Sequence, residues 1–532
     1  MKTYLRHSYF LLTLAFIFAN NVPARAAVFK WQGDVVTCTD PIDGSTYSCG
    51  GFRNGVNWDQ GSVPGNGDEA FIDRQAPSPN VALYEDQHVD ILTMEPGTRI
   101  FNQIVVDLNA PEPVVGTTDA RILIDVALRT DPSGSSVDAA VFESRLEVGG
   151  SEMDIDVASP PKLNFAGETV NSENDTIHKR GPGLLTVSGQ LAIDQLQIHQ
   201  GIVRLLGGNN LASFTDVHLE GGTFDLKDTD EVVNRLTANA GEIDTGSGTL
   251  GFVPNQGDEL LVNFRGTSGG RIEKLNGNTV KLRSSNAFNN FDGTLHIGEG
   301  DFHFFHSLAA VTPGLIKGPG TFLKRDVGRL DVSNPIDVGT FQIDDGEVRL
   351  HADNLISTGT DVYLTDDGTL NLNGSKQQIK GLSGAGGTLN LVDRQLRFTT
   401  DSLDDYAGVV TGNSQSVLIK HGGEEFKLSG ATALDGFSGE LQVTDGVFNA
   451  VHGLGSTSVV QVLTDGVLQL GQSNQAVSFV GQLTGGGTIS KIGSGAWTLQ
   501  AHELSTFGGR VVVETGTFNA GNGVSASAVD FD

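Results

Sequence analysis

The sequence predicts an all-β protein of stacked coils, and three observations predict it. A glycine-anchored strand pair recurs five times after residue 175. Within each copy two alternate positions stay mostly apolar, and a period of two marks a half-buried strand. Such strands repeat over hundreds of residues with almost no stretch of 3.6-residue period. Each unit can then bury its apolar face only against its neighbours, which is a solenoid.

The copies begin at Lys179, Lys274, Lys317, Lys420 and Lys491. Aligned on the lysine, the apolar pairs are Leu185 and Val187, Val280 and Leu282, Phe426 and Leu428, and Trp497 and Leu499. The Lys317 copy is one residue shorter, with Phe322 first and Lys324 second. Gly181 and Gly183, like Gly493 and Gly495, supply the turn between lysine and strand. A second element follows the lysine strand, clearest in FDGTLHIGEGDFHF from Phe291, FSGELQVTDGVFNA from Phe437 and FGGRVVVETGTFNA from Phe507. A third lies between them, as in VYLTDDGTLNL at Val362. Asp345-Gly346, Asp367-Gly368, Asp445-Gly446 and Asp465-Gly466 are read as tight reversals, because Gly accepts positive φ and Asp bonds its own backbone. At roughly 20–25 residues per coil, the expectation is on the order of 20 coils stacked at about 4.8 Å.

In chain order, residues 1–26 read as a secretory signal. Lys2 and Arg6 precede the apolar run Tyr9 to Ala19, and Ala24-Arg25-Ala26 offers small residues for cleavage. Residues 27–67 form a cap with Trp31, Trp58 and the segment TCTDPIDGSTYSC. Its Cys38 and Cys49 are the only two cysteines, and in an exported chain they read as a local disulfide. No histidine lies between residues 8 and 87, so a metal site there is short of ligands. Residues 68–175 hold loose coils, and residues 176–532 the regular repeats.

Composition narrows the function classes. The 70 glycines fall between apolar pairs and read as turns. Removing Lys2, Arg6 and Arg25 with the signal leaves 31 basic against 64 acidic residues, a net charge of −33. That balance argues against nucleic acid, which needs a basic footprint. No run after residue 26 reaches the roughly 18 apolar residues of a spanning helix.

The three elements together resemble the autotransporter-associated β-strand repeat of Gram-negative passenger domains. Lys491, Gly493, Gly495, Trp497, Leu499, Gly509, Val511, Val513, Gly516 and Phe518 carry the likeness, with GTLNLNGSKQQIKGLSGAGGTLNL from Gly368 and NWDQGSVPGNGDEAFID near the N-terminus. The resemblance spans roughly residues 27–523. It implies a right-handed parallel β-helix, periplasmic transit, and a place on the cell surface or outside the cell. Members usually end in a membrane barrel. The residues to Asp532 lack its successive alternating strands with aromatic girdles, so contact with the outer membrane is expected only through a barrel not present in this chain.

Candidate chemistry is sparse. Gly266-Thr267-Ser268-Gly269-Gly270 fits G-x-S-x-G, but a nucleophile elbow needs strand, turn and helix, and strand-like RIEKLNGNTVKL follows. His296, His303 and His306 cluster, yet on a strand residues 303 and 306 face opposite sides. Asp344-Asp345, Asp366-Asp367, Asp404-Asp405 and Glu424-Glu425 read as turn residues. We expect no catalytic residue, metal or cofactor. The leading expectation is a non-enzymatic surface adhesin or structural rod. Its partners would be host or neighbouring-cell glycans or proteins, or further copies of itself. The competing expectation is a polysaccharide-degrading lyase or glycoside hydrolase, which would need carboxylates and a Lys or Arg converging on one groove in adjacent coils.

Overall fold

The computed structural model describes residues 152–157, 162–170, 175–400, 404–471, 476–499, 506–520 and 528–531, and, between residues 28 and 148, the strands and Pro64. All regular structure among them is β, and nearly every pairing is parallel. The chain is a parallel β-solenoid, and it divides into two compact units, Met1–Arg204 and Leu205–Asp532.

In the first unit a parallel ladder runs from Val28–Lys30 through Glu69–Ile72, Gln87–Met94, Arg121–Thr130, Glu152–Asp156 and Thr176–Arg180 to Gln195–Ile198. The segment expected as a cap thus already contributes a strand to the ladder. Two antiparallel pairs interrupt the pattern, Val36–Thr39 with Thr46–Gly51 and Ile104–Asp107 with Val114–Thr117. In the first, Val36 faces Cys49 and Cys38 faces Tyr47, so the cysteines occupy diagonal positions on one face. Their side chains, and the segment 1–26, lie outside the described residues.

In the second unit the coil step is read directly from the register. Leu250 pairs with Ile272, Ile272 with Leu295, Leu295 with Ile316, and Ile316 with Ile336. Each is fully buried. One residue type of similar volume thus stacks on the next, and each coil covers the apolar face of the last, which is where the stability of a solenoid resides. A second column stacks rings: Phe302, Phe322 and Phe341 are register partners with centroids 6.3 and 5.7 Å apart.

The repeat lysine lies inside. Lys179, Lys274, Lys324, Lys420 and Lys491 are at most 1% exposed. Each takes the place of an aliphatic or aromatic residue in an interior column. Lys274 stands between Phe252 and Ile297, Lys420 between Phe398 and Val443, and Lys491 between Leu470 and Val513. A buried ammonium must find acceptors, and the corner of the coil supplies carbonyls. Lys179 Nζ donates to Arg180 O at 2.7 Å, Gly181 O at 2.7 Å and Gln200 O at 3.0 Å. Lys491 Nζ donates to Ile492 O and Gly493 O, both at 2.6 Å, and to Thr515 O at 3.5 Å. Lys274 bonds Asn276 O and Glu299 O. Lys324 bonds Arg325 O at 3.3 Å, Asp345 O at 2.7 Å and Asp326 O.

In every case the partner on the next coil precedes a glycine of positive φ: Gly201, Gly300, Gly346, Gly446 or Gly516. At Gly446 a Cβ would come 2.4 Å from Gly422 O and 2.5 Å from Lys420 Nζ. The close approach of the next corner over the ammonium therefore requires glycine there.

Two expectations need correction. The copy placed at Lys317 is out of register: Lys317 faces outward, whereas Lys324 is the caged lysine and Leu330 and Val332 fill its apolar pair. The Asp-Gly pairs are corners of parallel coils and not reversals. Ile336–Leu350 and Asp361–Asn371 run straight through Asp345-Gly346 and Asp367-Gly368 as strands. Gly368 and Gly466, stacked above Gly346 and Gly446, have no positive φ.

Candidate functional site

The repeat-defining side chains are structural. Leu185, Val187, Phe426, Leu428, Trp497 and Leu499 are buried. Phe518 packs on Trp497 with centroids 5.4 Å apart. Gly181, Gly493 and Gly516 hold positive φ of 69°, 82° and 84°. Gly183 and Gly495 lie in the corners beside the caged lysines, where their carbonyls take the amides of Ile202 and Thr517 from the following coil.

Displaced proton affinities cluster at functional sites in many proteins, and here the largest displacements mark the interior. Burial pulls Lys179, Lys274, Lys324 and Lys420 down to about 8, and lowers Lys491 as well. Burial raises Glu231 to about 7, against the bonds its carboxylate accepts from Asn210 N at 2.9 Å and Leu211 N at 3.4 Å. Burial lowers His306 to about 4; its ring lies on Phe304 and its Nδ1 is 2.9 Å from Leu308 O. Burial likewise raises the Tyr406 phenol, which donates to Gly387 O at 3.1 Å. Each of these groups is engaged with the backbone of its own or a neighbouring coil.

The other candidates separate in space. Ser268 is an exposed turn residue between the strands Asn263–Gly266 and Arg271–Lys274, with no helix following. His303 lies outward beside Asp301, while His306 points inside. His296 belongs to another strand and binds Glu273 at 2.8 Å. Adjacent carboxylates diverge: Asp344 accepts from Arg325 at 3.0 Å, while Asp345 accepts its own neighbour's amide, Gly346 N, at 2.6 Å. Asp405 takes Lys427 at 3.1 Å, and Glu425 takes Asn449 at 2.8 Å. The side chain of Asp366 lies outside the described residues. Among the described residues no three His, Cys, Asp or Glu side chains gather as a metal site.

One outward groove does bring charged groups together. It has a volume of about 450 Å³ and is lined by Arg271, His296, Lys317 and Asp337, with Gly318, Pro319 and Gly339 between them. The register explains the convergence: Glu273, His296, Lys317 and Asp337 are successive outward partners on four coils. Glu273 Oε1 accepts from Arg271 Nη2 at 2.9 Å and lies 2.8 Å from His296 Nδ1, so one carboxylate orients both side chains. Lys317 and Asp337 make no ion pair, with each other or with any other described residue.

Sequence reasoning missed this groove because its residues span 66 positions and Lys317 was set in the wrong register. No family model, curated protein or solved structure matches this chain.

Proposed function

We propose that the chain is an exported, passenger-type protein that acts by binding, as a surface adhesin or a structural rod, and not by turnover. The observation that carries this reading is the placement of the strongly displaced ionisable groups. The caged lysines, Glu231, His306 and Tyr406 are buried and bonded to backbone, where a catalytic group would be of no use to a substrate. What remains outside is a long parallel ladder of alternating polar side chains, suited to broad, distributed contact.

The resemblance in the repeats supports the finer parts of the proposal. These are a right-handed coil, passage through the periplasm, and residence at the cell surface or outside it; the N-terminal residues themselves support removal of residues 1–26 and a disulfide between Cys38 and Cys49. Right-handedness also follows from the twist of parallel crossovers, which is nearly invariant. Partners are glycans or proteins of neighbouring cells, or further copies of the chain.

The experiment is adhesion to cells and immobilised glycans by three proteins: the signal-free chain, a version ending near Gly412, and Ser268→Ala. Distributed binding predicts gradual weakening on truncation and no effect of Ser268→Ala. Turnover abolished by Ser268→Ala, or no adhesion by the intact chain, overturns the adhesin reading.

The Arg271–Asp337 groove favours a second reading, a polysaccharide-degrading enzyme, because cations and carboxylates converge there on adjacent coils. Release of new chain ends from an acidic polysaccharide, lost in Asp337→Asn, would establish it.

A further inference from the structure

The geometry points to the groove formed by Arg271, His296, Lys317 and Asp337 as a binding subsite for a carboxylate-bearing sugar, the uronic-acid unit of an acidic polysaccharide. The inference rests on the binding reading above and names its ligand class.

The charge pattern is the first argument. The whole chain carries a formal net charge of −30, yet three basic side chains line this one groove. An acidic glycan is repelled by the net charge of the chain and attracted where fixed cations such as Arg271 and Lys317 stand together. Two of the three basic side chains are held in place: Arg271 and His296 share the Glu273 carboxylate, which fixes their orientation before any ligand arrives. The third, Lys317, makes no ion pair and is only partly exposed.

The second argument is the mixture of signs. A simple anion site would exclude carboxylates, but here Asp337 sits one coil step from Lys317, about 4.8 Å along the stack. A uronic acid carries both kinds of group that this pair can satisfy. Its carboxylate accepts from Lys317 and from the Arg271 guanidinium, both of which line the groove. Its neighbouring hydroxyls donate to Asp337. A neutral sugar satisfies only the carboxylate side, and an inorganic anion only the cationic side.

The third argument is shape. The groove's volume of about 450 Å³ lies within the ordinary range for small-ligand sites.

The test is calorimetric titration of the signal-free chain with oligogalacturonate, with a neutral cello-oligosaccharide, and with sulfate alone. The expected result is saturable binding of the uronate, weakened by salt, and at least tenfold weaker binding of the other two. Lys317→Gln and Asp337→Asn each reduce uronate affinity about tenfold with an unchanged circular dichroism spectrum. Lys427→Gln, a surface lysine paired with Asp405 elsewhere, leaves it unchanged. Absence of uronate binding, equal binding of the neutral sugar or of sulfate, or an unaltered Lys317→Gln overturns the proposal. Adhesion to cells without uronate binding sinks the groove and leaves the adhesin reading. Uronate binding without adhesion does the reverse.

Discussion

Lys420 Nζ donates to the carbonyl oxygen of Asp445 at 2.8 Å, and the two residues belong to successive coils. The same ammonium bonds Gly422 O and Glu424 O in its own coil. One side chain therefore closes the corner of its coil and clamps it to the next, a bond that neither backbone ladder supplies.

Removing that clamp is expected to loosen both corners. Lys420→Met keeps the apolar stem and deletes the donor. Leaving buried carbonyls without partners costs roughly 1–3 kcal/mol per group that water cannot reach. We expect faster amide hydrogen exchange across residues 420–450, with the coils before residue 370 unaffected because solenoid coupling is between neighbours. Unchanged exchange at these corners would show the clamp to be dispensable.

The caged lysines also set a pH dependence. Lys179, Lys274, Lys324 and Lys420 are held at about 8 by burial, below the ordinary 10.5. Below pH 8 folded and unfolded chains both carry the proton, and the cost of burying charge is borne in full. Between 8 and 10.5 the folded chain releases protons that the unfolded chain keeps, so stability rises with pH and then levels off. The neutral amine still donates two hydrogens, so most of the cage survives. The gap in melting temperature between wild type and Lys420→Met should widen in favour of wild type from pH 8 to pH 10. A gap that narrows would contradict the assignment.

Inward and outward positions should differ sharply in cost. Leu389 is fully buried between its register partners Leu370 and Val410, while Asn390 lies on the partly exposed face. Leu389→Ala is expected to cost roughly 2–5 kcal/mol and Asn390→Ala under about 1 kcal/mol, read as local exchange protection. Equal costs would show that the register here is wrong.

Much of this was legible in the sequence because alternation is a strong signal. Leu389 and Leu391 alternate in GTLNL, which predicts that both face inward, and both are buried. The lysine was legible too, but by a signal that composition obscures. Lysine is rarely buried, so its type alone argues against an inward position. Yet each caged lysine follows by two a buried apolar residue, Ile177, Ile272, Phe322, Leu418 or Ile489. Period two already places it on the inward face. The count alone does not separate Lys324 from Lys317, which follows the apolar Leu315 by two; the half-buried state of Leu315 in the structure does. The groove was not legible, because its side chains meet only once the register of several coils is known.

In exported protein Cys38 and Cys49 should be joined. They are the two cysteines of one exported-type segment, and closing so short a loop contributes about 2–3 kcal/mol. Thiol labelling of the unreduced, denatured protein should find no reactive thiol; two would refute the pairing.

The account stands on the parallel register, since the clamp and the groove both exist only if coils stack as described. Thr321 and Thr340 are register partners on the partly exposed face, one strand segment away from Lys317 and Asp337. A parallel step of about 4.8 Å lies within the Cα separation a disulfide tolerates, about 4.4–6.8 Å. The decisive measurement is oxidative cross-linking of the double variant Thr321→Cys, Thr340→Cys beside the offset pair Thr321→Cys, Gln342→Cys. Near-complete intramolecular bonding of the first pair and little of the second is the predicted result. Efficient bonding of the offset pair, or none of the in-register pair, would contradict the stacked register.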